Sequence, residues 1–273
     1  MILDFKQTFK EVFQLKYFWV YLFIYTVLAT VSYIFSTLKA FPHNEVISNV
    51  FSICTYIPIA YLLVMIHNLL TKNELNNDEN FVQNLCKVTK TSIKAFFAMF
   101  LNMLIVFLFD FIFIFIPVVI AMVLAIDIPK AVLYIPIAFV ILLSALVMLF
   151  ITKLLGVAFS KNFAIKDTLK WITVAKIFFK KGFAKKTWAV FGIYVSICLA
   201  LVCLLFGALF LFNLTIVYFA KTLLANHYIL MSFLLNLSNV IVPFLGAMAY
   251  FILSAVTYNL FAKIYDESTS VKE

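Results

Sequence analysis

Charged residues are scarce in this sequence: they make up 12% of the 273 residues, whereas 66% are hydrophobic. A soluble domain could not bury that much apolar surface, because most of its own exterior must face water. Glycine and proline are also few, with five and six copies, which excludes collagen-like and disordered chains. The mean hydropathy of +1.11 instead indicates an integral membrane protein.

Arginine is absent, and all 21 basic residues are lysine. Lysine codons are favoured in an AT-rich genome, which accounts for the bias. No side chain can form the bidentate guanidinium contacts that usually recognise phosphate or carboxylate groups. The net charge of +9 is therefore better explained by membrane topology and anionic lipid than by nucleic acid.

Residues typical of metal sites and catalysis are few and scattered. The four cysteines form no C-x-x-C pair, and the three histidines have no partner at ligand spacing. There is no G-x-S-x-G, H-E-x-x-H or phosphate-loop motif. The sequence therefore predicts a non-enzymatic protein with no metal, no cofactor and no catalytic residue.

Hydropathy predicts six membrane-spanning helices in one polytopic domain covering residues 1–273. The predicted spans are residues 17–37, 50–70, 95–125, 131–155, 187–220 and 228–261. The N-terminus lacks a basic region followed by a short apolar core and a cleavage site, so the first span is expected to be retained.

The distribution of lysine predicts the orientation of these spans. All but three lysines fall before the first span, between the second and third, at or after the end of the fourth, or after the sixth; the exceptions are Lys39, Lys130 and Lys221. The positive-inside rule then places both termini in the cytoplasm of a bacterial plasma or inner membrane.

Similar strings recur in the second and fourth spans: Tyr56-Ile57-Pro58-Ile59-Ala60-Tyr61 and Tyr134-Ile135-Pro136-Ile137-Ala138-Phe139. The sixth has a looser version around Pro243. A lysine-bearing, partly amphipathic lead-in precedes each odd-numbered span. The clearest one has Phe5, Phe9 and Val12 on a single face and is expected to lie in the membrane interface.

This pattern predicts three copies of one unit, at residues 1–72, 81–158 and 163–265. In each unit an interfacial helix would precede an outward crossing and a returning crossing with a proline. Two alternatives stay open: accidental matches in apolar sequence, and a twofold repeat of three helices.

The lead-in at residues 9–19, Pro243 and the end Tyr258-Asn259-Leu260-Phe261-Ala262-Lys263-Ile264-Tyr265-Asp266 carry a resemblance. Here the chain resembles a loose group of bacterial six-helix membrane proteins, which includes the membrane domain fused to some glycerophosphodiester phosphodiesterases. No phosphodiesterase domain is present, so the resemblance implies a membrane fold without catalysis. It carries over no functional residue.

Asp110 is the only acidic residue deep within a predicted span, where an ionisable group is costly. Asn102 and Asn213 are its main candidate hydrogen-bond partners, and Asn236 and Asn239 are others. A proton or cation relay is one interpretation. A neutral carboxyl that ties helices together is favoured, because relays usually contain several acidic groups.

Two further patterns concern helix shape and packing. Pro58, Pro117, Pro136 and Pro243 are candidate kinks that could open a cavity or a hinge. Small residues share one face of the fifth span and predict a packing seam; they are Gly192, Ser196, Ala200, Cys203 and Gly207.

These observations favour a non-enzymatic envelope protein that binds lipid, chiefly anionic lipid, or a membrane partner. The alternative is the permease subunit of an ABC-type exporter, with the segment 71–94 docking a cytoplasmic ATPase. An intramembrane enzyme or ion-coupled carrier depends on Asp110 alone.

The orientation is tested by cysteine labelling in a variant without native cysteines. We predict that cysteines introduced at Asn44, Ile128 and Asn226 react with an impermeant thiol reagent in intact cells, whereas those at Asn76 and Lys181 react only after permeabilisation. Labelling at Lys181 from outside would overturn the orientation.

Overall fold

The computed structural model describes residues 5–37, 43–71, 80–116, 119, 123, 150–222 and 228–270, which are mostly helical and contain no strand. The helices are α1 (Phe5–Phe13), α2 (Phe18–Thr37), α3 (Asn44–Cys54), α4 (Tyr56–Thr71), α5 (Phe81–Asp110), α6 (150–162), α7 (Trp171–Phe178), α8 (Ala184–Thr222) and α9 (Tyr228–Ser270). A π-helical turn over Phe111–Phe115 continues α5, and a 3₁₀ turn over Ile165–Leu169 precedes α7.

Five stretches of the described residues are long and apolar enough to cross a membrane. They are Phe18–Thr37, Asn44–Thr71, Phe81–Ile105, Ala184–Leu201 and Val240–Ser270. Each overlaps a predicted span, and the all-α membrane class is confirmed. The predicted fourth span lies outside the described residues except for its end at 150–155, which belongs to α6.

The second span is interrupted at Thr55, between α3 and α4. Pro58 has no N–H group and cannot donate to the carbonyl of Cys54 four residues earlier. The helix resumes with the N–H of Ile59 donating to the Thr55 carbonyl at 3.3 Å. Pro243 instead lies inside the continuous helix α9, while Pro117 and Pro136 fall outside the described residues.

The three lead-in segments join their spans differently. A turn in which Tyr17 has a φ of 66° separates α1 from α2. The second lead-in is continuous with its span, because α5 runs unbroken from a capping box at Asn80. In the third, the Thr187 hydroxyl donates to the Phe178 carbonyl at 2.8 Å and joins α8 to the end of α7.

The continuity of α5 also bears on the segment expected to dock an ATPase. Residues 81–94 of that segment form the first turns of α5, and residues 72–79 lie outside the described part of the chain. The ATPase therefore stays a prediction from the sequence.

Among the described residues, the buried apolar core lies toward one end of the bundle. It is built from the first halves of α2, α5 and α8, from α4 and α6, which end the second and the predicted fourth span, and from the later part of α9. Consecutive spans contribute opposite ends to one core, so they run in alternating directions. We call this end, with Phe18, Ile66, Phe178 and Phe261 at its centre, the lysine-rich end.

Helix α9 is central to this arrangement. It packs against α2, α8, α4, α1 and α7. Lys263 on α9 donates to the carboxylate of Glu11 on α1 at 2.6 Å, and Lys186 on α8 donates to that of Glu267 at 3.1 Å. The first and last described helices therefore meet at the lysine-rich end.

Helix α1 packs into the protein rather than only lying along the membrane surface. Val12 is fully buried, Thr8 is buried, and Phe9 and Phe13 pack against the core. The described part of the predicted apolar face, at Phe9 and Val12, is therefore covered by other helices, while Lys6 and Lys10 remain exposed.

The packing of α1 predicts a stability difference between two alanine variants. Val12→Ala should lower the free energy of unfolding by about 1–3 kcal/mol, because it leaves a gap in a filled core. Lys10→Ala, on the exposed face, should change it by less than about 0.5 kcal/mol. Equal effects of the two variants on unfolding in detergent would contradict this packing.

Candidate functional site

The ammonium group of Lys153 is buried inside the bundle. Lys153 lies on α6, and the whole residue is only 4% exposed. Its Nζ donates to the hydroxyl of Ser254 on α9 at 2.9 Å. No carboxylate among the described residues lies within ion-pair distance of it. A buried charge without an ionic partner costs on the order of several kcal/mol, so such a residue is a candidate functional group.

Three tyrosine rings surround this ammonium group. Its Nζ lies 4.3 Å from the ring centre of Tyr258, 5.3 Å from that of Tyr194 and 5.5 Å from that of Tyr250. Electron-rich aromatic faces stabilise cations, by about 2 kcal/mol or more where water is excluded. The rings offset part of the cost of burial, but they supply no negative charge.

The positions of these groups follow from helical spacing. Tyr250, Ser254 and Tyr258 are four residues apart on α9 and therefore share one face. That face lies against α6, where Gly156 follows Lys153 by three residues. A Cβ atom at Gly156 would lie 2.9 Å from Cε1 of Tyr258. The glycine thus leaves the space that the Tyr258 ring occupies beside Lys153.

A cavity of about 570 Å³ adjoins Lys153. This volume falls within the roughly 300–1,000 Å³ typical of small-molecule sites. Its walls come from four helices, and most of their lining side chains are apolar or aromatic; the described lining residues are Tyr56, Ile59, Leu62, Phe96, Met99, Phe100, Met103, Thr152, Lys153, Tyr250, Phe251, Ser254 and Tyr258.

The cavity has polar and apolar parts. Its polar groups are Thr152 and Lys153, near the first described residues of α6, the Ser254 hydroxyl, and the hydroxyl groups of three lining tyrosines. Phe100 and Met103 on α5 line it but are 55% and 66% exposed on the outside of the described structure. In a membrane, such side chains face the hydrocarbon. The cavity therefore joins a fixed cation to a lipid-facing apolar surface.

A second, smaller cavity of about 180 Å³ lies among the lysines that precede α7. Lys161, Lys170, Asp167 and Tyr265 are among its lining residues. Here Lys170 donates to the Asp167 carboxylate at 2.9 Å, and this bond holds the pKa of Asp167 below its usual value. An acid of the protein already neutralises a lysine of this cavity, so the Lys153 cavity is the better anion site.

Asn102, a member of the predicted polar site around Asp110, is bound by other groups. It is buried, accepts from the Trp171 indole N–H at 2.8 Å and donates to the Ala98 carbonyl at 2.8 Å. Asp110 lies eight residues further along the same helix, a rise of about 12 Å. The side chains of Asp110 and Asn213 lie outside the described structure, so the site around Asp110 stays a prediction.

The small-residue face of α8 is not a packing seam within the described structure. Gly192, Ser196, Ala200, Cys203 and Gly207 are all exposed. A Cβ atom at Gly192 or Gly207 would meet nothing within 4 Å. The buried face of α8 is instead the one that carries Thr187, Val190 and Tyr194, and bulky aromatic packing there determines which side of the helix turns inward.

Sequence reasoning missed the Lys153 site because the lysine lies only two residues before the end of a predicted span. A lysine in that position ordinarily extends its ammonium group to the interface. The available indication was the Tyr250, Ser254 and Tyr258 spacing within the sixth span, which places three hydroxyl groups on one helical face.

Among the described residues, no three histidine, cysteine or acidic side chains are grouped to hold a metal ion. The comparisons do not assign the site either: no family model, no curated protein and no solved structure matches this chain. The function must therefore be argued from the geometry around Lys153.

The close approach at Gly156 predicts an unequal pair of glycine variants. Gly156→Ala should lower the free energy of unfolding by about 1–3 kcal/mol, because the new methyl group forces Tyr258 away. Gly192→Ala, on an exposed face of a helix, should be neutral or stabilising by up to about 1 kcal/mol. A Gly156→Ala protein that unfolds at the wild-type temperature would contradict the contact.

Proposed function

We propose that this protein is a non-enzymatic, multi-pass protein of the bacterial cytoplasmic membrane that binds an anionic amphiphile in the Lys153 cavity. The acid group of the ligand pairs with the Lys153 ammonium, and its apolar part occupies the space between α4, α5 and α9. Both termini face the cytoplasm, where the lysine-rich segments contact anionic headgroups.

The observation that carries this proposal is a buried lysine side chain without an ionic partner among the described residues, at the wall of a largely apolar cavity. Removing a lysine from water is unfavourable unless a partner compensates for the lost hydration. The described residues supply tyrosine rings and one hydroxyl group but no carboxylate. An anionic ligand would complete the electrostatic balance.

The lipid-facing wall of the cavity supports an amphiphile rather than a water-soluble anion. Phe100 and Met103 combine exposure with a position on the cavity lining. A molecule dissolved in the bilayer would reach the site laterally with its chain still in apolar surroundings. A hydrated inorganic anion would gain nothing from the apolar walls, which make up most of the lining.

The test compares wild-type protein, Lys153→Met and Lys90→Met in a neutral maltoside detergent. Native mass spectrometry measures binding of anionic probes (oleate, oleoyl lysophosphatidylglycerol and dioleoyl phosphatidylglycerol). Lys153→Met should weaken the binding of at least one of these probes by about 10- to 100-fold. This corresponds to the loss of a charge-assisted hydrogen bond of about 1.5–3 kcal/mol. Lys90→Met removes an exposed lysine of α5 and should bind like the wild type.

Thermal unfolding without ligand provides the second measurement. Lys153→Met should be at least as stable as the wild type, because methionine fills a similar volume and removes a buried charge. Loss of binding with retained stability would assign Lys153 to ligand recognition. If Lys153→Met binds every anionic probe as the wild type does, the proposed function is wrong.

A further inference from the structure

We infer that the ligand of the Lys153 cavity is a long-chain carboxylic acid with a single acyl chain. This inference rests on the proposed function and specifies both the acid group and the apolar part of the ligand. It depends on the number of charges at the site, on the donors that surround it and on the volume of the cavity.

The charge at the site suits a monoanion. Lys153 is the only charged side chain among the described residues that line the cavity. One carboxylate balances one ammonium group, whereas the phosphate monoester of a phosphatidic acid carries up to two charges. A second negative charge would stay uncompensated in an apolar environment, which is strongly unfavourable.

The donors around Lys153 are also few. Its Nζ has one hydrogen bond within the described protein, to Ser254 Oγ, and an ammonium group has three N–H donors. The remaining donors can be directed to two carboxylate oxygens, while Thr152 adds one hydroxyl group on the same lining. A phosphodiester bears further oxygens and a glycerol headgroup, and beyond Ser254 and Thr152 only tyrosine hydroxyl groups remain on the described lining to bind them.

The size of the cavity suits a small amphiphile. The space open to the centre of a water-sized sphere is about 570 Å³, which falls within the range typical of small-molecule sites. A diacyl phospholipid has two acyl chains and a headgroup, so it would leave more of its apolar surface outside this space than a single-chain ligand would.

The geometry of the wall agrees with a single chain. From Phe96 to Met103 the lining of α5 rises by about 10 Å along the helix axis, and it passes from the half-buried Phe96 to the exposed Phe100 and Met103. A chain attached to an acid group at Lys153 follows this wall toward the hydrocarbon. Phe100 and Met99 lie along its path.

The experiment uses four probes with the same oleoyl chain and the full-length protein in neutral maltoside detergent. They are oleate, oleyl alcohol, oleoyl lysophosphatidylglycerol and dioleoyl phosphatidylglycerol, and their dissociation constants are measured by native mass spectrometry. Wild-type protein should bind oleate at least tenfold more tightly than each of the other three. In Lys153→Met the preference for oleate over oleyl alcohol should fall to less than threefold, and in Lys90→Met it should be retained.

A second variant tests the position of the chain. Met99→Trp fills the apolar part of the cavity without changing its charge. It should therefore weaken the binding of oleate and of oleyl alcohol by the same factor, at least fivefold. Unchanged oleate binding in Met99→Trp would overturn the placement of the chain along α5. Unfolding temperatures identify any variant that has lost its fold. If Met99→Trp is unfolded, Met99→Ala replaces it, and a smaller loss of binding is expected for both oleate and oleyl alcohol.

The outcomes separate this inference from the function on which it rests. If dioleoyl phosphatidylglycerol or the lysolipid binds as tightly as oleate and depends on Lys153, the single-chain carboxylic acid is wrong and the anionic amphiphile stands. If no probe depends on Lys153, both are wrong. Equal binding of oleate and oleyl alcohol to the wild type would overturn the carboxylic acid, because its acid group would then not be recognised.

Discussion

The burial of the Lys153 side chain without an ionic partner among the described residues is the constraint on which the candidate site depends. Burial deprives the ammonium group of water, and the described residues offer no carboxylate in return. Three tyrosine rings and the hydroxyl of Ser254 surround it instead. These groups stabilise a cation without neutralising its charge, so the site can still bind an anion. The site is thus preorganised for an anionic ligand.

Helix α9 makes this arrangement rigid. It packs against α1, α2, α4, α7 and α8, and its face with Tyr250, Ser254 and Tyr258 fits against α6 because Gly156 has no side chain. Ion pairs from Lys263 to Glu11 and from Lys186 to Glu267 attach α1 and α8 to its end. These pairs are partly exposed and contribute little energy each.

The fold class was accessible from the sequence because membrane spans are encoded by local composition. Runs such as Phe18–Thr37 must be apolar over a full crossing, and a 20-residue window detects this without knowledge of neighbours. The interruption before Pro58 is also local, since it follows from one missing N–H group. These features need no tertiary contact in order to be recognised.

The candidate site was not accessible in the same way. By sequence alone, Lys153 looks like a lysine near the end of a span that extends its ammonium group to the interface. What distinguishes it is its contact with the rings of Tyr194 and Tyr258, which come from distant parts of the chain. Likewise, the small residues of α8 predict a seam by their spacing, but which face of α8 turns inward depends on the bulky residues of its neighbours. Asn102 was recognised as a polar residue within a span, yet its partner Trp171 is 69 residues away.

The central claim is that an anionic chain lies in the cavity with its acid group at Lys153. Photolabelling addresses it most directly, with a fatty acid that carries a diazirine near the end of its chain, in nanodiscs of neutral lipid. The account predicts cross-links on the α5 wall, at Phe100 and Met103, that are lost in Lys153→Met and retained in Lys90→Met. Cross-links spread over the outer face of α8, at Leu199 and Leu204, and unchanged in Lys153→Met would contradict it.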